Sequence, residues 1–318
     1  MEVRKVNGFF IIFVIGYIGL SVVCASIMGY AQNAGIAVPD WIQYVMSEGI
    51  ILLIAIIYMI VQKIDPITEI PYKRISIVDI VLSLVAGYCL IPAVLLISNL
   101  SMLFSTNYLE EGTTTLLTYP FAMQVILLAV IPPLVEELIF RGIFFGSYRK
   151  AGMTGAALMS GLLFGCFHLN INQALYAFVM GIVFAYMVEA TGSLWSSVIA
   201  HFAVNTYSIG IVQILKMAGM YAQDGSVSET FENAESVAGQ STSITVVQIA
   251  MIAVIAAVFM MLAVLCIRTM AKRHGNLEKM KIQNVKLSHI KNYFTDTVIV
   301  GIVVCVMYMI MLEFSGTL

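Results

Sequence analysis

Residues 119–150 read YPFAMQVILLAVIPPLVEELIFRGIFFGSYRK. The run is long enough to cross a hydrocarbon core of about 30 Å, which takes about 20 apolar residues in a helix. Yet it carries Glu136, Glu137 and Arg141 in its interior, and Pro132 and Pro133 just before them. An ionisable side chain at the centre of a membrane helix costs at least about 2.5–3.5 kcal/mol unless it is paired or hydrated. The stretch therefore announces a membrane helix and a place where that helix accepts a large local cost.

The rest of the chain agrees with a membrane setting. Of 318 residues 60% are apolar and 11% charged, and the mean hydropathy is +0.96, whereas soluble domains are about 45–50% apolar and about 25% charged. One aqueous core could not hide so much apolar surface, so lipid must cover it. The net charge of −2 gives no reason to expect a nucleic-acid partner. Cys24, Cys89, Cys166, Cys266 and Cys305 all fall in apolar runs without a CxxC pair, so they read as packing residues.

Apolar runs near 8–30, 42–62, 77–104, 119–147, 152–170, 173–190, 194–215, 244–267 and 295–315 predict an all-α polytopic membrane protein of about nine spans. The first run is longer than the hydrophobic region of a signal peptide and is read as a retained helix. If Arg4 and Lys5 are inside, alternation puts Lys63, Lys73, Arg74, Arg149, Lys150 and the basic stretch from Arg268 to Lys291 inside as well. The outer segments then hold Glu110, Glu111, Asp224, Glu229, Glu232 and Glu235, with Lys216 as their only base. The positive-inside rule thus predicts an internal N-terminus and an external C-terminus. The polar stretch 224–243 is expected to be a loop, and 268–293 an interfacial amphipathic helix on anionic lipid. Three regions are expected: an N-terminal membrane region (1–114), a core of four helices (115–215), and the remaining loop and two spans (216–318).

Two further runs carry polar groups. Phe164 and His168 stand i,i+4 in AALMSGLLFGCFHLN, and His201 and Asn205 stand i,i+4 in LWSSVIAHFAVNTY, so each pair shares a helix face. Glu137 and Arg141 likewise share a face and should pair, which turns Glu136 away and leaves it the freer carboxylate. The two prolines remove backbone donors and leave carbonyls needing partners. Taken singly, a membrane histidine or asparagine is interhelical glue, and Glu137–Arg141 a structural pair. Glu48 and Glu189 read as interfacial or local groups. Together, two carboxylates, an arginine, two imidazoles and a carboxamide on consecutive helices hold the bases and donors of a hydrolytic site.

With EExxxR (Glu136 to Arg141), FxxxH (Phe164 to His168) and HxxxN (His201 to Asn205) in order, the chain resembles the CAAX protease and bacteriocin-processing family of intramembrane proteases. That family includes the type II CAAX prenyl endopeptidases, and the resemblance covers about 115–210. It implies Glu136 as the general base on water, assisted by His168, with Glu137 and Arg141 orienting it. His201 and Asn205 would stabilise the oxyanion, and Phe164 would wall the pocket. No cofactor is favoured. A zinc ion held by Glu136, His168 and His201 is the alternative, although there is no HExxH.

The expected substrate is a peptide or membrane-anchored protein, reached from the cytoplasmic half of the bilayer. The length and loops look bacterial, so the cytoplasmic membrane and bacteriocin or peptide processing, or self-immunity, are the natural setting. The competing readings are a proton-coupled transporter using the same buried Glu, His and Arg, and a non-catalytic immunity protein. One feature strains a flat bundle: His201 lies about 10 Å and His168 about 25 Å from the expected inner ends of their regions. Some of these helices must be tilted or must start inside the membrane.

Overall fold

The computed structural model describes residues 3–106, 119–219, 246–281 and 293–315, and among these the regular structure is all helical. Helices α1 (Val3–Asn33), α2 (Trp41–Gln62), the one-turn α3 (Pro66–Glu69) and α4 (Ile77–Ser101) lead to α5 (Phe121–Ala151). They are followed by α6 (Met153–Phe167), α7 (Ile171–Thr191), α8 (Trp195–Met217), α9 (Val246–Arg273) and α10 (Asp296–Ser315). Among the described residues, eight of these are long and apolar enough to cross a membrane.

Of the about nine expected spans, the one at α6 is a shorter apolar helix than the other eight. This helix has 15 residues, roughly 22 Å at the α-helical rise, which falls short of a hydrocarbon core of about 30 Å. It stops because Leu169 takes a left-handed conformation (φ 54°), after which the Asn170 side chain accepts from Gln173 N–H and caps α7. The two helices then lie almost backbone on backbone. A Cβ on Gly165 would sit 2.5 Å from the Ala174 carbonyl oxygen, and one on Gly161 2.7 Å from that of Phe178. This is the small-xxx-small packing of membrane helices, Gly161 and Gly165 being four apart.

Side chains at the helix ends show how the passes run. At one end Asn7 donates to the Tyr293 carbonyl (2.8 Å) and Thr295 (2.9 Å) and accepts from the Tyr148 hydroxyl. At the same end Arg149 pairs with Glu189 (3.0 Å), Asp79 takes Arg273 (3.4 Å) and His274 (3.0 Å), and Asn276 donates to the Ala190 carbonyl (3.1 Å). At the other end Asn172 meets Ser98 and Ser101, Glu313 accepts from Thr106 N–H, and Gln213 donates to Gln124 (3.2 Å). Successive helices therefore alternate in direction, α6 included. The first end carries Lys73, Arg149, Lys150 and Arg273, the basic end that charge placement assigns to the inside.

The expected interfacial helix over 268–293 does not begin at 268. Residues up to Arg273 continue α9, and Gly275, at φ 68°, ends it before a short 3-10 turn at Leu277–Met280. Residues 282–292 of that stretch, and the polar stretch 224–243, lie outside the described residues.

Two packed clusters frame the middle of the bundle. Phe9, Phe10 and Phe13 of α1 pack with Phe140 and Phe144 of α5 and Phe167 of α6. Ala86 and Leu90 of α4 pack with Phe184 of α7, Ala200 of α8 and Ala263 and Met270 of α9. Large apolar side chains such as Val254 (65% exposed) and Met261 (64%) on α9 point outward, the arrangement lipid requires.

Candidate active site

Helix α5 is irregular around its acidic pair. Two π-helical stretches, Val125–Val130 and Leu138–Phe145, flank the α-helical turn pair Ile131–Glu137. Pro132 has no N–H for the carbonyl four residues earlier, that of Leu128, and its ring crowds that oxygen. Asn205 of α8 supplies the missing donor, its side-chain amide reaching the Leu128 carbonyl at 3.0 Å. Replacing Asn205 by Ala leaves a part-buried carbonyl without a partner. We expect it to cost about 1–3 kcal/mol of stability, read as a lower unfolding midpoint of the detergent-solubilised protein.

Glu137 and Arg141 form a fully buried ion pair at 2.8 Å, both side chains 0% exposed. The guanidinium lies over the Phe164 ring at 4.3 Å from its centroid and also faces Phe184 at 5.2 Å. Gly181 makes room for it, since a Cβ there would stand 3.2 Å from Arg141 Nη2. The same Glu137 oxygen meets His201 Nδ1 at 3.1 Å. A carboxylate that already accepts from arginine accepts again here, so the proton is assigned to Nδ1. The other ring nitrogen of His201 stands 3.7 Å from Glu136 Oε2.

His168 follows the last residue of α6, and its Nδ1 lies 2.7 Å from the Phe164 carbonyl oxygen. A carbonyl can only accept, so Nδ1 carries the proton and Nε2 is left as an acceptor. Phe164 does not wall the cavity. It is 1% exposed and packs behind the site, edge-on to His168 (4.7 Å) and His201 (5.8 Å) and under Arg141. Its quadrupole is better satisfied by that cation than by open space.

The depth mismatch has a structural answer: α8 starts inside the bundle. Leu194 N–H donates to the Pro71 carbonyl at 2.8 Å, and Ser193 donates to that of Lys73 at 2.5 Å. The adjoining Ile70 lies against Gly142, where a Cβ would be 3.2 Å away. Gly142 is roughly 13 Å along α5 from its basic end. Starting from that level, α8 brings His201 alongside Glu137.

Glu136, its side chain 14% exposed, faces a cavity of about 600 Å³ shared with His168, Glu48, Ser47, Tyr17 and Gln173. The remaining walls come from the part of α1 around Ala25 and from Leu312 of α10. These lie toward the end opposite the basic one. Glu48 is also corrected. It is no interfacial group: it lines the cavity, and its Oε2 is buried without a partner. A lone acid in an apolar span is a functional signal in its own right. Glu189, in contrast, is the local partner of Arg149. Phe184 carries no such signal in the sequence, because one phenylalanine among many marks nothing.

Among the described residues no three His, Cys, Asp or Glu side chains are grouped so as to hold a metal. Of the set Glu136, His168 and His201, His201 turns Nδ1 to Glu137 and keeps Nε2 3.7 Å from Glu136.

Residues 118–207 match the family model described as Type II CAAX prenyl endopeptidase Rce1-like, and that span holds every residue of the three motifs. A protein of Bacillus subtilis (strain 168) named "Putative membrane peptidase YdiL" is 33% identical over 88 residues, which cover 27% of this chain and 36% of that protein. The chain thus spans about a third of the length of the curated relative it matches. No solved structure matches it. Residues 118–207, with their buried Glu, Arg and His cluster, are thus similar to the CAAX prenyl endopeptidases that this model represents.

Proposed function

We propose that this chain is an intramembrane endopeptidase that hydrolyses a peptide bond in a peptide or membrane-anchored protein, with Glu136 as its base. The observation that carries the reading is the division of labour between neighbouring carboxylates. Glu137 is locked by Arg141 and His201, while Glu136 is left facing a cavity opposite the acceptor nitrogen of His168. In this mechanism Glu136 takes a proton from water, with His168 accepting the water's second hydrogen bond. The water oxygen bonds to the scissile carbonyl carbon. His201 would stabilise the oxyanion through Nε2, the ring nitrogen that Glu137 does not engage. Asn205 has a second amide N–H for the same purpose. Glu136 then returns its proton to the leaving nitrogen as the C–N bond breaks, giving a carboxylic acid, which keeps the water's other proton, and an amine.

The reading is metal-free, sets the chain in a bacterial cytoplasmic membrane, and takes bacteriocin-like peptides as the substrate class by family resemblance alone. It is tested by comparing peptide termini in membranes from cells with and without the protein. New termini should appear with the protein and persist under phenanthroline. No protein-dependent termini would overturn the protease. Loss on chelation with recovery on adding zinc would overturn the metal-free mechanism.

A further inference from the structure

A second cavity, of about 640 Å³, opens at the basic end of the molecule and is separate from the one that holds Glu136. Lys73, Arg149 and Lys150 line it, with Arg141 at its floor. Arg141 and Arg149 are turned to Glu137 and Glu189, but Arg141 keeps Nε and Nη2 buried without partners. Lys73 and Lys150 make no ion pair among the described residues, and Glu69 is the single acid in the lining. Below this cationic rim the walls are apolar, formed by Ile70, Phe145 and Val188. Ile67, also in the lining, is 83% exposed, as an apolar residue at a membrane interface is.

We propose that this cleft binds the phosphate of an anionic phospholipid, with the glycerol and upper acyl chain against Ile70, Phe145 and Val188. A basic rim above an apolar wall, at the face that charge placement assigns to the inside, matches that amphipathic ligand. A free phosphate ion would gain nothing from the apolar wall. The inference concerns lipid binding and does not depend on whether the chain hydrolyses peptides.

The test is native mass spectrometry of the full chain released from vesicles of mixed phosphatidylglycerol and phosphatidylcholine. Phosphatidylglycerol should be retained in preference. Retention should fall about tenfold or more in Lys73→Gln/Lys150→Gln, given roughly 1 kcal/mol per lysine near an anionic surface. It should persist in Lys73→Arg/Lys150→Arg, in the distant control Lys279→Gln/Lys281→Gln, and in millimolar inorganic phosphate. Equal retention of the two lipids would overturn the proposal. So would unchanged retention in the Gln pair, an equal loss in the control, or displacement by inorganic phosphate.

Discussion

Glu136→Gln is expected to eliminate the protein-dependent peptide termini, a loss of at least about a hundredfold for removal of a general base, while leaving the fold intact. The substitution keeps size and polarity and deletes only the proton acceptor. Little collateral damage is expected, because among the described residues the only ion-pair contact of Glu136 is the loose 3.7 Å approach to His201. Its carboxylate also faces a cavity, so nothing packed against it must move. Helical content and unfolding midpoint of the purified variant should match the parent protein. His168→Ala should show a smaller loss, since His168 assists the water and does not take the proton. A Glu136→Gln protein that folds normally and still produces the termini would remove Glu136 from the mechanism.

Much of this was legible in the sequence because membrane insertion makes polar residues conspicuous. Apolar runs and basic loops locate the long helices without reference to packing, and Glu136, Glu137, Arg141, His168 and His201 stand out against them by cost. What was not legible depends on geometry that hydropathy does not carry. The run 152–170 has the composition of a span, yet the break at Leu169 has neither proline nor glycine to mark it. The prolines at 66 and 71 signal irregular backbone, but nothing local says that the segment reaches the level of Gly142 and fixes where α8 starts. Glu48 lies in α2, outside the matched stretch, with no partner residue at helical spacing to single it out. Asn205 was visible as a polar residue, but its bond to Leu128 depends on which carbonyl Pro132 exposes and on how α8 docks.

The second large effect is on stability. Arg141→Met should lower unfolding free energy by about 3–5 kcal/mol, the usual result of removing one partner from a buried ion pair. The loss comes less from the missing attraction than from what remains: Glu137, 0% exposed, with one oxygen already lacking any partner and only His201 to compensate its charge. The double variant Glu137→Gln/Arg141→Met should recover most of that loss. It removes the stranded charge, keeps an amide oxygen to accept from His201 Nδ1, and fills the space between Phe164 and Phe184 with an apolar chain that favours aromatic contacts. The double should therefore be more stable than the single, a non-additivity of the kind expected for directly contacting residues. Activity should not return with it. His201 would face a neutral amide in place of the carboxylate that orients its ring. Denaturant titration of the two variants in the same detergent, beside the peptide comparison, separates the roles. If the single were as stable as the parent, or the double less stable than the single, the Glu137–Arg141 pair would not be a buried ion pair. If the double processed peptides normally, Glu137 and Arg141 would hold the helix alone and have no part in setting His201 for hydrolysis.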